Sequence, residues 1–279
     1  MEKTIITAAL TGAMTPKELN SSIPLTPKEI AEDAYNCWKS GAAVVHLHMR
    51  DDQGNGTLDR EKFAETVSLI RAKKDCDIII NCTTSGVAGL VSDEVRMEHI
   101  KTIPEIEVAS FDAGTFNWGT AGPFLNMHSF LVVLGNTMQQ YDVKPEVEIF
   151  DMGMLGNAKY YLQTGVLKAP LWCQLVLGVQ GAMDATVENL LYLVNHLPEG
   201  TVWSAFGIGA AHLSIMYAAL ALGGHIRVGL EDNVYYSKGV KATNPMLVER
   251  SVQAIKTFGK EPATPAEARQ IMGLKPLVR

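Results

Sequence analysis

The sequence predicts an α/β protein of the (β/α)8 or TIM barrel type, in which eight parallel strands form a closed ring inside a layer of helices. Short apolar runs alternate with longer amphipathic segments along the chain, as they do in repeated strand–helix units. The length of 279 residues also fits, since such barrels take about 250 residues. The chain has no linker, low-complexity stretch or internal repeat, so we expect one domain over residues 1–279.

The predicted strands are short apolar runs, and the predicted helices have apolar positions at helical spacing. The strands cover residues 4–9, 43–47, 78–82, 108–111, 146–150, 172–176, 201–205 and 225–229. The helices cover residues 27–39, 60–73, 93–101, 125–140, 152–163, 186–196, 210–221 and 245–258. A doubly wound open sheet is the alternative topology, and the even count of eight strands favours the closed barrel.

Two helix starts are marked by capping boxes. Thr26 and Thr264 are each followed by proline and, three residues on, by a glutamate. A threonine cap with proline at the first helical position is typical of a helix N-terminus. The second box predicts an additional C-terminal helix beyond the eighth unit.

Composition limits the function classes. Hydrophobic residues make up 47% and charged residues 19%, which is enough apolar material for a large core and too much for a disordered chain. The formal net charge is −6 without blocks of like charge, so a nucleic-acid surface is not expected and the partners should be small molecules. The four cysteines lie far apart and are predicted to be reduced and buried: Cys37, Cys76, Cys82 and Cys173.

No targeting or membrane segment is predicted. The N-terminal residues lack the charged region and apolar stretch of a signal peptide, and the apolar run at 215–222 is too short to span a bilayer. We therefore expect a cytoplasmic protein with no membrane partner.

A histidine pair ends the second predicted strand. Side chains at i and i+2 of a strand share a face, so His46 and His48 point the same way. Their position at the carboxyl end of the strand is where barrel active sites lie. Two imidazoles on one face suit a metal ion, and two histidines satisfied separately in the core are the alternative.

A third metal ligand is predicted from the last strand. Alternation places Arg227, Gly229 and Glu231 on one face, with the glycine leaving space between the other two side chains. A His-His-Glu set is typical of catalytic zinc sites with an open position. In the alternative, Glu231 and Asp232 only cap the next helix.

Other strand ends add polar groups. Strand five puts Glu146 and Glu148 on one face, and buried carboxylates there need a partner, for which Arg227 is the natural candidate. The turn at 81–86 contains Thr83 and Ser85, which could hold a substrate carboxylate or form an ordinary hydroxyl turn. Strand four ends near a further pocket candidate, Asp112.

A glycine turn follows strand seven. Gly207 and Gly209 precede a helix, which suits a bound phosphate at the helix N-terminus, and a plain helix-start turn is the alternative. His212 is a further candidate for substrate or phosphate contact. The other histidines fall in helix patterns or, for His225, at the opposite end of the barrel.

Six motifs together resemble the β-keto acid cleavage enzymes, whose founding member is 3-keto-5-aminohexanoate cleavage enzyme. The resemblance covers essentially the whole chain in order. The motifs are TAALTGA at 7–13, HLHMRD at 46–51, FDAGTFNWG at 111–119, PEVEIFDMGM at 145–154, LVLGVQGAM at 175–183 and GGHIRVGLEDN at 223–233.

The resemblance implies a zinc-dependent barrel that converts a β-keto acid and acetyl-CoA into acetoacetate and a new acyl-CoA. It implies a homo-oligomer as well, with a tetramer expected. By matching position, it implies Zn²⁺ ligands at His46, His48 and Glu231, a catalytic pair at Asp232 and Arg227, and a supporting role for Glu148. Thr83 stands where the founding member has a serine near the substrate, so the hydroxyl is kept.

Two departures from the founding member bear on the substrate. A glutamate similar to an ammonium-binding group is replaced by Met14, which cannot pair with a cation. We therefore expect a substrate without an amino group. An arginine after the GIG turn is replaced by Ala210, which removes one contact to CoA phosphate or substrate.

Two other function classes remain open. Metal-dependent hydrolases of the amidohydrolase type also carry an HxH pair on a barrel strand, but there the pair is expected on strand one, with more histidines at later strand ends. A binding protein stabilised by a structural metal would need only a closed coordination shell. The cluster of Asp232, Arg227 and Glu148 beside the ligands favours a catalytic site.

Overall fold

The computed structural model describes residues 1–85 and 91–277, and it confirms the predicted (β/α)8 barrel. The barrel strands are β1 (Ile6–Ala9), β2 (Val44–Leu47), β3 (Ile79–Cys82), β4 (Val108–Asp112), β5 (Lys144–Ile149), β6 (Trp172–Leu177), β7 (Val202–Gly207) and β8 (His225–Val228). Each strand pairs in parallel with the next strand along the chain. β8 pairs with β1 and closes the ring.

Helices follow the strands as predicted. In the described ranges they are α1 (Pro27–Ser40), α2 (Arg60–Arg71), α3 (Asp93–Thr102), α4 (His128–Gln140), α5 (Met152–Gln163), α6 (Val187–His196), α7 (His212–Ala221), α8 (Asn244–Thr257) and α9 (Pro265–Met272). Both capping boxes are present, with Thr26 and Thr264 each accepting from the backbone N–H of the glutamate three residues on. The predicted C-terminal helix is therefore confirmed as α9.

Two helices, α4 and α7, begin more than one residue later than predicted because the preceding loops form structure of their own. α4 begins at His128, since Pro123–Phe124 pairs with Phe116–Asn117 in a short antiparallel hairpin. α7 begins at His212, since Gly209–Ala211 forms a 3₁₀ turn first. Both loops follow strand carboxyl ends, so they lie on the face where barrel active sites are found.

The amino end of the barrel is closed by an apolar layer. Ile5, Val44, Ile79, Val108 and Trp172 form a buried cluster with Ala268 and Met272 of α9. Lys3–Thr4 pairs with Glu261–Pro262 just before α9, which holds the helix against this end. The C-terminal extension thus seals one end of the barrel and leaves the carboxyl end for a site.

Above this layer the barrel interior is polar. Side chains alternate between the two faces of each barrel strand, and the residues that face the interior here are polar. They include His46, Asn81, Ser110, Glu146, Gln174 and Ser204, all buried. The alternate residues, among them Val45, Leu47, Val147 and Ile149, belong to the apolar cluster shared with the helices. The sequence places its polar groups inside the barrel and its apolar groups outside, as a site within a barrel requires.

Glycine is needed at position 229, just after β8, for a different reason than predicted. Its φ of +152° is a conformation that side-chain-bearing residues rarely adopt, and a Cβ there would lie 1.8 Å from the Ala9 carbonyl oxygen. The expectation that this glycine leaves space between Arg227 and Glu231 is wrong. It allows the chain leaving β8 to pass against the backbone of β1.

The four cysteines are buried and unpaired with one another, as predicted, and burial raises the pKa of the Cys37 and Cys82 thiols. Within residues 1–85 and 91–277, every helix is either too short or too polar to cross a bilayer.

Acid is expected to destabilise the fold partly through His225. This histidine accepts a hydrogen bond from the Ile5 N–H at 3.1 Å. Burial lowers the pKa of His225 to about 4. The charge of Lys260 adds to this shift, and the charge of Glu2 opposes it. An unfolded histidine titrates near pH 6.5, so the unfolded chain gains a proton at a pH where the folded protein does not. The free energy of unfolding should therefore fall by roughly 3 kcal/mol from this group between pH 6.5 and 4.

The measurement is urea unfolding across this pH range for the protein and for His225→Asn. Asparagine keeps an acceptor near the Ile5 N–H but does not titrate. The pH-dependent loss should be smaller in the variant by roughly 3 kcal/mol. Equal slopes in the two proteins would show that His225 is not the group responsible.

Candidate active site

Three side chains from opposite ends of the sequence converge at the carboxyl end of the barrel. His46 lies on β2, His48 lies just beyond it, and their rings meet edge-on with centroids 5.1 Å apart. Glu231 Oε1 lies 3.7 Å from His46 Nε2 and 3.4 Å from His48 Nε2. One ligand atom of each residue lies within 4.8 Å of the others. The structure therefore brings together the three predicted metal ligands.

Glu231 reaches the histidines through a tight turn and not along the strand. β8 ends at Val228, and the N–H groups of Asp232 and Asn233 both donate to the Gly229 carbonyl. Glu231 N–H donates to the Ala9 carbonyl of β1 at 3.3 Å. The turn thus carries the carboxylate across β1 toward β2, which strand alternation alone did not describe.

The loop after β1 holds Glu231 from the other side. A Cβ on Gly12 would lie 2.7 Å from Glu231 Cγ, so the glutamate packs directly on this backbone. Arg50 fixes the loop, with Nε donating to the Gly12 carbonyl at 2.6 Å and Nη2 donating to the Thr11 and Thr15 carbonyls. Sequence reasoning missed this buried arginine, although it follows the histidine pair directly. Its position in that motif was the available signal.

Arg227 binds both acidic residues of the turn. Its Nε and Nη2 donate to Asp232 at 3.0 and 2.9 Å, and Nη2 also donates to Glu231 Oε1 at 2.5 Å. The guanidinium lies 4.3 Å from the centre of the Phe206 ring. This two-point contact fixes the Asp232 carboxylate beside the three predicted ligands.

The expectation that Arg227 directly pairs with the strand-five carboxylates is wrong. Glu146 accepts from Asn81 Nδ2 and Trp172 Nε1, and Glu148 accepts from Ser110 Oγ at 2.9 Å. Arg227 is already committed to the acidic turn after its own strand. Neutral donors on neighbouring strands satisfy the two glutamates instead.

The protonation states suit metal binding. Burial lowers the pKa of His46 well below its usual value, which keeps the imidazole neutral. Burial opposes the charge on Glu231, yet the charge of Arg227 holds the pKa of this carboxyl well below its usual value. Metal ligation requires a neutral imidazole and an ionised carboxylate. His46 Nδ1 and Glu231 Oε2 are also buried without a hydrogen-bond partner among the described residues. The set fits a zinc ion with an open coordination position.

The neighbouring acids behave differently. Burial raises the pKa of Asp232 to about 6, although Arg227 opposes the rise. Burial also raises the pKa of Asp112 and, more strongly, that of Glu148. Asp112 and Glu148 are paired in register on β4 and β5, so each disfavours a second charge beside it.

The predicted substrate residues lie on loops at the same end. Thr83 Oγ1 donates to the Ser85 carbonyl at 3.0 Å and accepts from the Ser85 N–H at 3.1 Å, which is the hydroxyl turn considered above. Gly86, the end of that predicted turn, lies outside the described residues. Met14 is 64% exposed and follows Gly12, the residue that packs on Glu231. Contact of these residues with a substrate stays a prediction.

The glycine turn after β7 has structural roles. A Cβ on Gly207 would lie 2.8 Å from Ile215 Cγ1, and the Gly209 N–H donates to the Asp232 carbonyl at 2.9 Å. His212 Nε2 accepts from Arg250, so its Nδ1–H donates to the Gly209 carbonyl. The turn thus braces the backbone of Asp232. Phosphate binding by Gly207 and Gly209 stays a prediction.

Comparison with known proteins identifies the family of this chain. A family model described as beta-keto acid cleavage enzyme matches residues 3–274. The chain belongs to the β-keto acid cleavage enzyme family. It is accordingly an acyltransferase that cleaves a carbon–carbon bond of a β-keto acid.

Two curated relatives of this β-keto acid cleavage enzyme are similar over nearly the full length. The 3-keto-5-aminohexanoate cleavage enzyme of Fusobacterium nucleatum is 42% identical over 276 residues, covering 99% of each chain. The 3-oxoadipate:acetyl-CoA acetyltransferase of Cupriavidus necator is 33% identical over 275 residues, covering 97% of this chain and 94% of the relative.

A solved structure shares the fold. The complex of ObcA with oxaloacetate superposes with a TM-score of 0.82 at 22% identity. The alignment covers 91% of this chain and 68% of the ObcA chain, so the enzyme spans about two thirds of ObcA. At this identity the likeness supports the barrel fold alone.

Proposed function

We propose that this β-keto acid cleavage enzyme is zinc-dependent and converts a β-keto acid and acetyl-CoA into acetoacetate and the CoA ester of the remaining acyl group. The observation that carries the proposal is the convergence of His46, His48 and Glu231 next to Asp232, with Arg227 bonded to both acids. A metal-ligand set beside a buried, oriented carboxylate is the arrangement expected for abstraction of a proton next to a carbonyl.

In the proposed mechanism, Asp232 Oδ removes a proton from the carbon between the keto and carboxylate groups. Arg227 orients Asp232 through two hydrogen bonds and offsets its charge. Glu148 has the supporting role, because its carboxyl group is near enough to Arg227 to interact with it electrostatically. A zinc ion held by His46, His48 and Glu231 would supply Lewis-acid polarisation of the substrate carbonyl.

The carbon that loses its proton attacks the thioester carbonyl of acetyl-CoA and displaces the CoA thiolate. The thiolate then attacks the original keto group in the adduct, and the bond between that carbonyl and the former nucleophilic carbon breaks. Asp232 returns its proton to that carbon, and acetoacetate leaves. The acetyl group has moved to the former α-carbon, and the acyl remainder has moved to CoA.

We propose a neutral or anionic β-keto acid as the substrate. Support comes from Met14, which stands on the loop whose Gly12 packs on Glu231 and which offers no charge to an ammonium group. The relative named for 3-oxoadipate gives a precedent for an acid that carries no ammonium group. The relative named for 3-keto-5-aminohexanoate makes the cationic acid the necessary comparison.

The test is a mass-spectrometric screen of the zinc-loaded enzyme with acetyl-CoA and neutral, anionic and cationic β-keto acids. Formation of acetoacetate together with a new acyl-CoA from a neutral or anionic acid is the expected result. Met14→Glu should raise the relative kcat/KM for the cationic acid, with Met14→Gln as the uncharged control. If the cationic β-keto acid were the only acid turned over, the substrate proposal would be contradicted. Turnover without acetyl-CoA would favour a metal-dependent hydrolase.

A further inference from the structure

Glu146 is a buried carboxylate for which the proposed reaction has no use. Its side chain is 0% exposed in the barrel interior. We infer that Glu146 is a positioning residue that holds His46 in the ring orientation and tautomer needed for metal binding through Nε2. This inference rests on the proposed metal site.

The two Glu146 oxygens are fixed by separate donors. Oε2 accepts from Asn81 Nδ2 at 2.6 Å, and Oε1 accepts from Trp172 Nε1 at 3.1 Å. Asn81 is the register partner of His46 on the adjoining strand, so the amide bridges β3 and β5 directly beside the imidazole. Each carboxylate oxygen therefore accepts one hydrogen bond, which fixes the plane of the Glu146 side chain.

His46 presents one ring nitrogen to each side. Nε2 faces Glu231 at 3.7 Å, and Nδ1 faces Glu146 Oε2 at 3.7 Å. Within the described residues, Nδ1 is buried without a hydrogen bond of normal geometry, and the Asn81 side chain, which Glu146 holds, is the other polar group beside the ring. The separation of Nδ1 from Oε2 is longer than a hydrogen bond, so the contact between Nδ1 and the Glu146 carboxylate is electrostatic.

The chemistry of a neutral imidazole connects these two contacts. If Nε2 gives its lone pair to a metal, the ring proton must sit on Nδ1, where only an acceptor stabilises it. A carboxylate in that place fixes the tautomer and raises the basicity of the ligand nitrogen, and loss of such a partner typically lowers metal affinity about 10–100-fold.

Glu148 provides the comparison on the same strand and face. It accepts from Ser110 Oγ and pairs in register with Asp112, away from His46 Nδ1. A general effect of replacing a buried carboxyl group on β5 with an amide should therefore appear in both glutamates. A specific effect on His46 should appear in Glu146 alone.

The experiment compares zinc affinity, by competition with a chromophoric chelator, in the wild type, His46→Ala, Glu146→Gln and Glu148→Gln. Glu146→Gln should bind zinc about 10–100-fold more weakly, because one amide oxygen must then serve Trp172, Asn81 and His46. Excess zinc should restore its activity. Glu148→Gln should keep the wild-type zinc affinity.

A second measurement uses the wild-type enzyme alone. In ¹⁵N-histidine spectra of the zinc-loaded protein, His46 should carry its proton on Nδ1 and show a metal-bound Nε2. Zinc bound to Nδ1 would overturn the inference, as would unchanged affinity in Glu146→Gln. If His46→Ala binds zinc as tightly as the wild type, the proposed metal site itself is wrong, whatever Glu146 does.

Discussion

Replacing Asp232 with asparagine is expected to lower kcat by about 10³-fold while zinc remains bound. Loss of a positioned general base typically costs 10²–10⁴-fold, and an asparagine amide cannot accept the substrate proton. Asparagine can still accept a hydrogen bond from Arg227, so the turn that carries Glu231 should keep its shape. The measurements are steady-state kinetics with a substrate from the screen and metal content by mass spectrometry.

The control for this variant is Asp52→Asn. Asp52 is an exposed residue paired with Lys62 and should leave kcat unchanged. Near-full activity in Asp232→Asn would assign the base to another residue. Loss of both zinc and activity would instead mean that Asp232 mainly supports the metal site.

Replacing His48 with alanine should weaken zinc binding at least about 100-fold and abolish activity at stoichiometric zinc. His48 lies just beyond β2, so its removal takes away a donor atom without interrupting the barrel ladder. The far-UV circular dichroism spectrum and the melting temperature of the apo form should match the wild type. Zinc affinity by chelator competition and thermal unfolding are the measurements.

This prediction distinguishes a catalytic from a structural metal. Stripping zinc from the wild type should abolish turnover and leave the protein folded, because the core of the barrel is formed without the metal ligands. Unfolding on removal of zinc would favour the metal-stabilised binding protein. His196→Ala changes a histidine in the last turn of α6, far along the chain from the site, and should leave zinc affinity unchanged.

The sequence supported the barrel and much of the site because these depend on short-range rules. Strand alternation placed His46 and His48 on one face, and the capping boxes at Thr26 and Thr264 marked two helix starts that the structure contains. The hairpin before α4 was missed because its strands, Phe116–Asn117 and Pro123–Phe124, are two residues long and leave no periodic pattern. Gly229 was recognised as special, but the close approach to Ala9 that requires it is not visible in the chain order.

By itself, the sequence determined the fold class, the histidine pair and the two adjacent acids after the last strand, since each follows from local periodicity or from contiguous residues; the turn that carries those acids was not predicted. Only the tertiary structure decided which partner each buried charge takes. Arg227 binds Asp232 and Glu231, Glu146 binds Asn81 and Trp172, and Arg50 binds the loop that supports Glu231. Barrel closure brings residues far apart in the chain within hydrogen-bond distance. The choice among them depends on strand register and side-chain reach, which no local pattern encodes.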